Sequence, residues 1–256
     1  MDTFKLNILE LPVDILSLIL RPLVTSSTPI YLCPCTPSPI NPLPILLSHP
    51  ALYAIATPLL YAGNQFLLDA TGPHAQHIRR ELQDAPAGAD ERLPGRATLL
   101  TTPGALRRIA RMELRIDRLR GWLGSDVVPL LTELAVQGRM DYLTIWVRTP
   151  AEPRTVGSHP AKHEKDMHMF SRPPLEGLLR VLADPYLVSA QLWVDARHSK
   201  TWCRFHAGGC GAESGDPGPG RERERERRVE IEWREIIRLV DPERKEITVI
   251  GTDKKW

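Results

Sequence analysis

From Glu10 to Leu23 the chain reads ELPVDILSLILRPL, with Leu11, Ile15, Leu16, Leu18, Ile19, Leu20 and Leu23 recurring at three- and four-residue steps. On a 3.6-residue period this predicts a helix that is apolar around more than half its girth, more surface than one neighbouring helix covers. Pro12 suits the first turn, where no N–H is needed, and Asp14 favours the positive end of the helix dipole. From Thr25 to Pro44 the chain carries Pro29, Pro34, Pro37, Pro39, Pro42 and Pro44. Each removes a donor and biases its predecessor away from helix, so this stretch predicts an extended or looped connection. Apolar residues at 46, 47, 52, 53, 55, 56, 59 and 60 then predict one or two short helices, interrupted at Pro50 and Pro58 and packed on the first.

Past Gly63-Asn64 the pattern changes to strands alternating with helices. Gln65 to Ala70 predicts a short strand ended by Gly72-Pro73, residues 74 to 83 a surface helix, and Ala85 to Arg96 a loop. Arg111 to Asp117 alternates strictly apolar and charged, the period of a strand with one buried face. Asp126 to Gln137 carries Val127, Val128, Leu130, Leu131, Leu134 and Ala135 at helical spacing, with Gly138 placed to stop it, and Tyr142 to Val147 is a largely apolar strand. Strand, helix and strand within some forty residues predict a parallel βαβ unit. A helix at Leu175 to Ala183, a strand within Leu187 to Ala196, a helix from Glu230 to Val240 and a strand at Ile247 to Ile250 continue the alternation. Two polar stretches, 151–172 and 207–220, predict mobile surface loops. The expected fold class is α/β: a helical module at residues 6–61 with its proline-rich insertion at 25–44, then a small α/β domain at 65–256. The latter is a degenerate leucine-rich repeat at most, because strand spacings are unequal and no LxxLxLxxN signature occurs.

At 256 residues, 42% hydrophobic and 25% charged, the composition is that of an ordinary globular protein. A net charge of +2 supplies no global field for nucleic acid or an anionic membrane. Four cysteines at this length make no disulfide framework, and no uncharged apolar run reaches the roughly 20 residues of a membrane helix. With no signal-peptide pattern at the N-terminus, the default expectation is a reducing cytoplasmic or nuclear location.

Candidate chemistry is sparse. Cys203, His206 and Cys210, with His198, Cys33 or Cys35 as a fourth donor, could ligate zinc, but one irregular cluster lacks the two regular pairs of a zinc finger and favours a metal-free loop. Cys33-Pro34-Cys35 has no base in view and reads as two small apolar side chains in a loop. His159, His163 and His168 lie with Glu164 and Asp166 in a polar stretch that reads as solvated. Arg221 to Arg228, RERERERR, reads as a solvated lead-in to the following helix; as a strand it would place every arginine on one face. No GxSxG, HExxH, phosphate-cradling loop or nucleotide fingerprint is present.

One segment carries a family resemblance. Leu11-Pro12-Val13-Asp14-Ile15-Leu16-Ser17-Leu18-Ile19-Leu20 resembles the first helix of an F-box, and Leu52-Tyr53-Ala54-Ile55-Ala56-Thr57-Pro58-Leu59-Leu60-Tyr61 resembles the end of the F-box in many filamentous-fungal proteins. The resemblance implies docking on the SKP adaptor of cullin-RING (SCF-type) ubiquitin ligases. By position, Leu11, Pro12, Ile15, Leu16, Ile19 and Leu20, with Leu52 and Tyr53, would form the contact. The remainder would present an unknown protein client, in a non-catalytic subunit needing no cofactor. Two alternatives stand beside it. One is an α/β enzyme whose N-terminal helices belong to its own core, with a polar pocket at the strand ends near Asp117, Arg148 or Asp195. The other, suggested by the long insertion, is an F-box descendant that no longer binds the adaptor.

Overall fold

The computed structural model describes residues 7–83, 102–148, 170–195, 202, 204–206 and 228–241. Six strands form one sheet in chain order: β1 (Ile30–Tyr31), β2 (Phe66–Ala70), β3 (Arg111–Ile116), β4 (Tyr142–Val147), β5 (Ser189–Asp195) and β6 (Arg228–Ile231). The first five are parallel, and β6 returns antiparallel to β5. Among the described residues there are eight α-helices: α1 (Val13–Val24), α2 (Leu43–Ser48), α3 (Pro50–Gly63), α4 (Gly72–Gln83), α5 (Pro103–Leu106), α6 (Val128–Gln137), α7 (Leu175–Leu182) and α8 (Trp233–Val240). A π-helical turn, Leu123–Val127, leads into α6. The protein is therefore mixed α/β with a mostly parallel sheet, each strand lying beside the one before it.

The pleat sorts the strand residues onto two faces. Phe66, Leu68, Met112, Leu114, Ile116, Leu143, Ile145, Val147, Leu192 and Val194 join Ile78 of α4, Leu131 and Leu134 of α6, Leu178 and Leu182 of α7, and Ile236 of α8 in one continuous core. Leu20 and Val24 of α1 and Ala56 and Leu60 of α3 extend the same core to the N-terminal end. The alternate residues make a polar face: Asp69, Arg115, Trp146, Trp193 and Glu230 stand in one cross-strand row, with Glu113, Thr144 and Gln191 in the next.

The central βαβ unit forms as the alternation predicts, and α6 stops at Gly138. The stop is steric rather than left-handed. Gly138 has φ −94°. A Cβ there would collide with the Leu134 carbonyl oxygen and press on that of Arg107 at 3.2 Å. Gly138→Ala is expected to lower stability by about 1–3 kcal/mol, the usual cost of overpacking. Gly104→Ala, where a Cβ meets nothing within 4 Å, is the comparison in thermal unfolding. Equal shifts in both would remove the steric account.

Several expectations are corrected. The proline-rich connection, expected to be extended or looped, is extended at Ile30–Tyr31 and pairs there with Phe66–Leu67 as the first strand, and Leu32 and Cys33 are buried rather than solvated. Helices α2 and α3 thus form the crossover between β1 and β2. Pro50 does begin a new helix, where its missing N–H is harmless, but α3 runs straight through Pro58. With Ala56 and Leu60 held in the core, loss of a single ladder bond does not break it. The last arginine of the charged run opens β6, and the helix expected from Glu230 starts at Trp233. Phe170, expected in a loop, is buried edge-on against Trp202 (5.1 Å between centroids) and Phe205 (5.4 Å). The Ala85–Arg96 and 207–220 loops, the 247–250 strand and the histidines at 159, 163 and 168 lie outside the described residues.

Candidate functional site

Helix α1 is apolar on two sides, and only one is covered. Leu20 and Val24 enter the core on the side of α3, and Leu16, four residues before Leu20, is buried in line with them. Ile15, Leu18, Ile19 and Leu23 form the outer stripe and keep 43%, 65%, 40% and 52% of their surface. Leu43 and Leu47 of α2 and Tyr53 of α3 are also exposed. The residues expected to contact a partner therefore divide. Ile15, Ile19, Pro12 and Tyr53 are exposed, Leu11 and Leu52 half-buried, and Leu16 and Leu20 buried in the protein's own core. The Tyr53 hydroxyl accepts from Arg108 Nη1 at 2.9 Å, and this cation holds the phenol below its usual pKa.

At the middle of the polar face lies an ionic cluster that the sequence did not announce. Glu113, 4% exposed, takes Arg115 Nε at 2.7 Å and Arg228 Nη1 at 3.3 Å on one oxygen and Gln65 Nε2 at 2.9 Å on the other. The Trp146 ring carries Arg228 at 3.7 Å and Arg115 and Arg148 at 5.2 Å. Burial works against the Arg115 cation, but the hydrogen bond and charge of Glu113 outweigh it and raise its pKa. The sequence signals for this cluster were the alternation of β3, which puts Glu113 and Arg115 on one face, and the strand reading of the arginine run, which puts Arg228 on one face with the other arginines.

Among the described residues, the strand-end residues named for an enzyme are engaged as follows. Asp117 Oδ2 accepts from the Gly72 N–H at 3.2 Å, Asp195 Oδ1 from Trp146 Nε1 at 3.0 Å, and Arg148 lies over Trp146. A hollow of about 670 Å³ lies between Arg107 and α6, and one of about 230 Å³ between α7 and α8, both on the helical side. His206 pairs with Ile231 across an isolated bridge, while Cys203 and Cys210 lie outside the described residues. The structure instead brings two histidines of α4 to Cys33 and Cys35. Cys35 Sγ is 3.0 Å from His74 Nδ1, Cys33 Sγ is 3.7 Å from His77 Nδ1, and the two sulfurs are 2.8 Å apart. Burial, followed by the hydrogen bond with Cys35, pushes the Cys33 thiol up to about 11.

Fold and side-chain layout together define an α/β protein with a mostly parallel six-stranded sheet and a helical end whose apolar stripe has no partner within the described chain. Comparison with protein-family models, curated proteins and solved structures finds no match. Among the described residues no helix is long and apolar enough to cross a membrane.

Proposed function

We propose that this protein is a non-catalytic recognition subunit of a cullin-RING ubiquitin ligase, docking on the SKP adaptor through α1 to α3 and presenting a protein client through the remainder of its α/β fold. The observation that carries this reading is the outer stripe of α1. Ile15, Leu18, Ile19 and Leu23 remain exposed in the segment that resembles the first F-box helix, although the same helix has its other stripe in the core. A contiguous exposed apolar patch marks an interaction surface more often than chance exposure does. The subunit acts by holding client and ligase together, which raises their effective concentration and requires no chemistry of its own.

The test is binding of recombinant SKP adaptor to the purified chain and to Ile15→Asp/Ile19→Asp. Losing two half-exposed apolar contacts and burying uncompensated carboxylates costs about 3 kcal/mol, roughly 100-fold in affinity. Both side chains keep about two-fifths of their surface in solvent and lie outside the core, so the variant should lose some stability yet remain folded, which its thermal melt checks. Unchanged binding by the folded variant, or no binding by the folded wild type, overturns the proposal.

A further inference from the structure

The geometry points to a structural zinc site formed by Cys33, Cys35, His74 and His77. Parallel pairing of β1 with β2 sets the two chain exits side by side: Leu32 N–H donates to the Leu67 carbonyl, and the chain then passes through Cys33-Pro34-Cys35 over the first turns of α4. On α4, His74 and His77 are one turn apart, so they share a flank while Ala75 and Ile78 enter the core. The result is a Cys-x-Cys and a His-x2-His brought together from segments some forty residues apart.

The donor set fits zinc. Two sulfurs and two imidazole nitrogens are the ligands of a closed tetrahedral site, with bonds of about 2.0–2.3 Å that set neighbouring donors about 3.3–3.8 Å apart. The ligand atoms of Cys33, Cys35 and His77 lie within 4.8 Å of one another. The Cys33–His77 separation of 3.7 Å falls within that spacing, while His74, outside that group of three, approaches Cys35 at 3.0 Å and must draw back slightly to share the metal. The two sulfurs, at 2.8 Å, must part by about 1 Å, which rotation of the exposed Cys35 side chain supplies. The Tyr31 ring lies beside His74, tilted 37° to it with 6.2 Å between ring centroids. With four protein donors no position is left for water, so the metal's role is to pin the exit of β1 to α4. It would thereby hold in place the short edge strand that starts the sheet.

The experiment is zinc analysis and cobalt(II) titration of the reduced full-length chain, alongside Cys35→Ser, His74→Ala and the Cys203→Ser/Cys210→Ser double variant. The expected result is one equivalent per chain, with the visible absorption of tetrahedral cobalt thiolate, in both wild type and the double variant. Loss of a ligand should exceed the roughly 10–100-fold that loss of an outer-shell partner costs, so Cys35→Ser and His74→Ala should each weaken binding by more than about 100-fold. Zinc should raise the thermal midpoint of the wild type and not of these two. Cys35 is exposed, so its substitution spares the fold. The inference is overturned if the reduced wild type binds no metal, if either ligand variant binds as wild type does, or if binding follows Cys203 and Cys210.

Discussion

Glu113→Ala is expected to lower the free energy of unfolding by about 3–5 kcal/mol, the range for removing one partner of a buried ion pair. Its carboxylate is a buried counter-charge to two guanidiniums whose side chains are only 13% and 15% exposed. Without it, Arg115 and Arg228 keep their charge beside Trp146, and Gln65 loses its acceptor. Cation–π contact with the indole, worth about 2 kcal/mol or more in a desolvated setting, is present in wild type and variant alike, so it does not offset the loss. Glu113→Gln keeps the volume and one acceptor while removing the charge, and should fall between alanine and wild type. Urea unfolding with an unchanged slope would give both numbers. A loss under 1 kcal/mol for Glu113→Ala would mean that solvent, not the carboxylate, stabilises the arginines.

Asn64→Asp is the second large effect. Asn64 is fully buried between the ends of α1 and α3. Its Nδ2 donates to the Val24 carbonyl at 2.8 Å and the Leu60 carbonyl at 2.7 Å, and its Oδ1 accepts from the Ser26 N–H at 2.7 Å. Both helix ends and the approach to β1 are thus tied by one amide, which satisfies carbonyls that α1 and α3 leave open at their C-termini. Aspartate aims an anionic oxygen at two carbonyl oxygens. Two hydrogen bonds at about 1 kcal/mol each and an unpaired buried charge sum to about 3–5 kcal/mol at neutral pH. The sign of the pH dependence follows. Burial raises the folded-state pKa of the introduced carboxyl above its unfolded value of about 3.9. Its proton therefore favours the folded state, so the variant lies closest to wild type below that pH and falls away as pH rises through the folded pKa. Thermal melts of both proteins at pH 4 and pH 8 would show this, and a difference independent of pH would contradict it. Asn64→Ala, which loses the bonds without adding charge, should show no such slope.

Much of the sheet was legible because its signals are local. The apolar–charged alternation of β3, the helical spacing of α6, the leucine stripe of α7 and the apolar run of β4 each declare their state within about ten residues, since pleat and helix periods act along the chain. Strand β1 gave no such signal. It is two residues long amid prolines, and its partner Phe66–Leu67 lies 36 residues on. Only backbone pairing with that distant segment makes it a strand. Arg228 belonged by composition to a charged run, yet its pairing with Asp195 and its place over Trp146 settle it on the sheet.

What the sequence by itself determined is the α/β class, the central βαβ unit and the presence of a first helix with more apolar surface than a single neighbour could cover. Which of its stripes is spent on the core, Leu16 and Leu20 inward, Ile15 and Ile19 outward, was a tertiary decision, because the apolar arc around that helix is wider than one contact and only the position of α3 selects the part that is covered. The meeting of Cys33 and Cys35 with His74 and His77 was another. Spacing in sequence constrains ligands on one element, whereas here the register of two parallel strands brings two elements together.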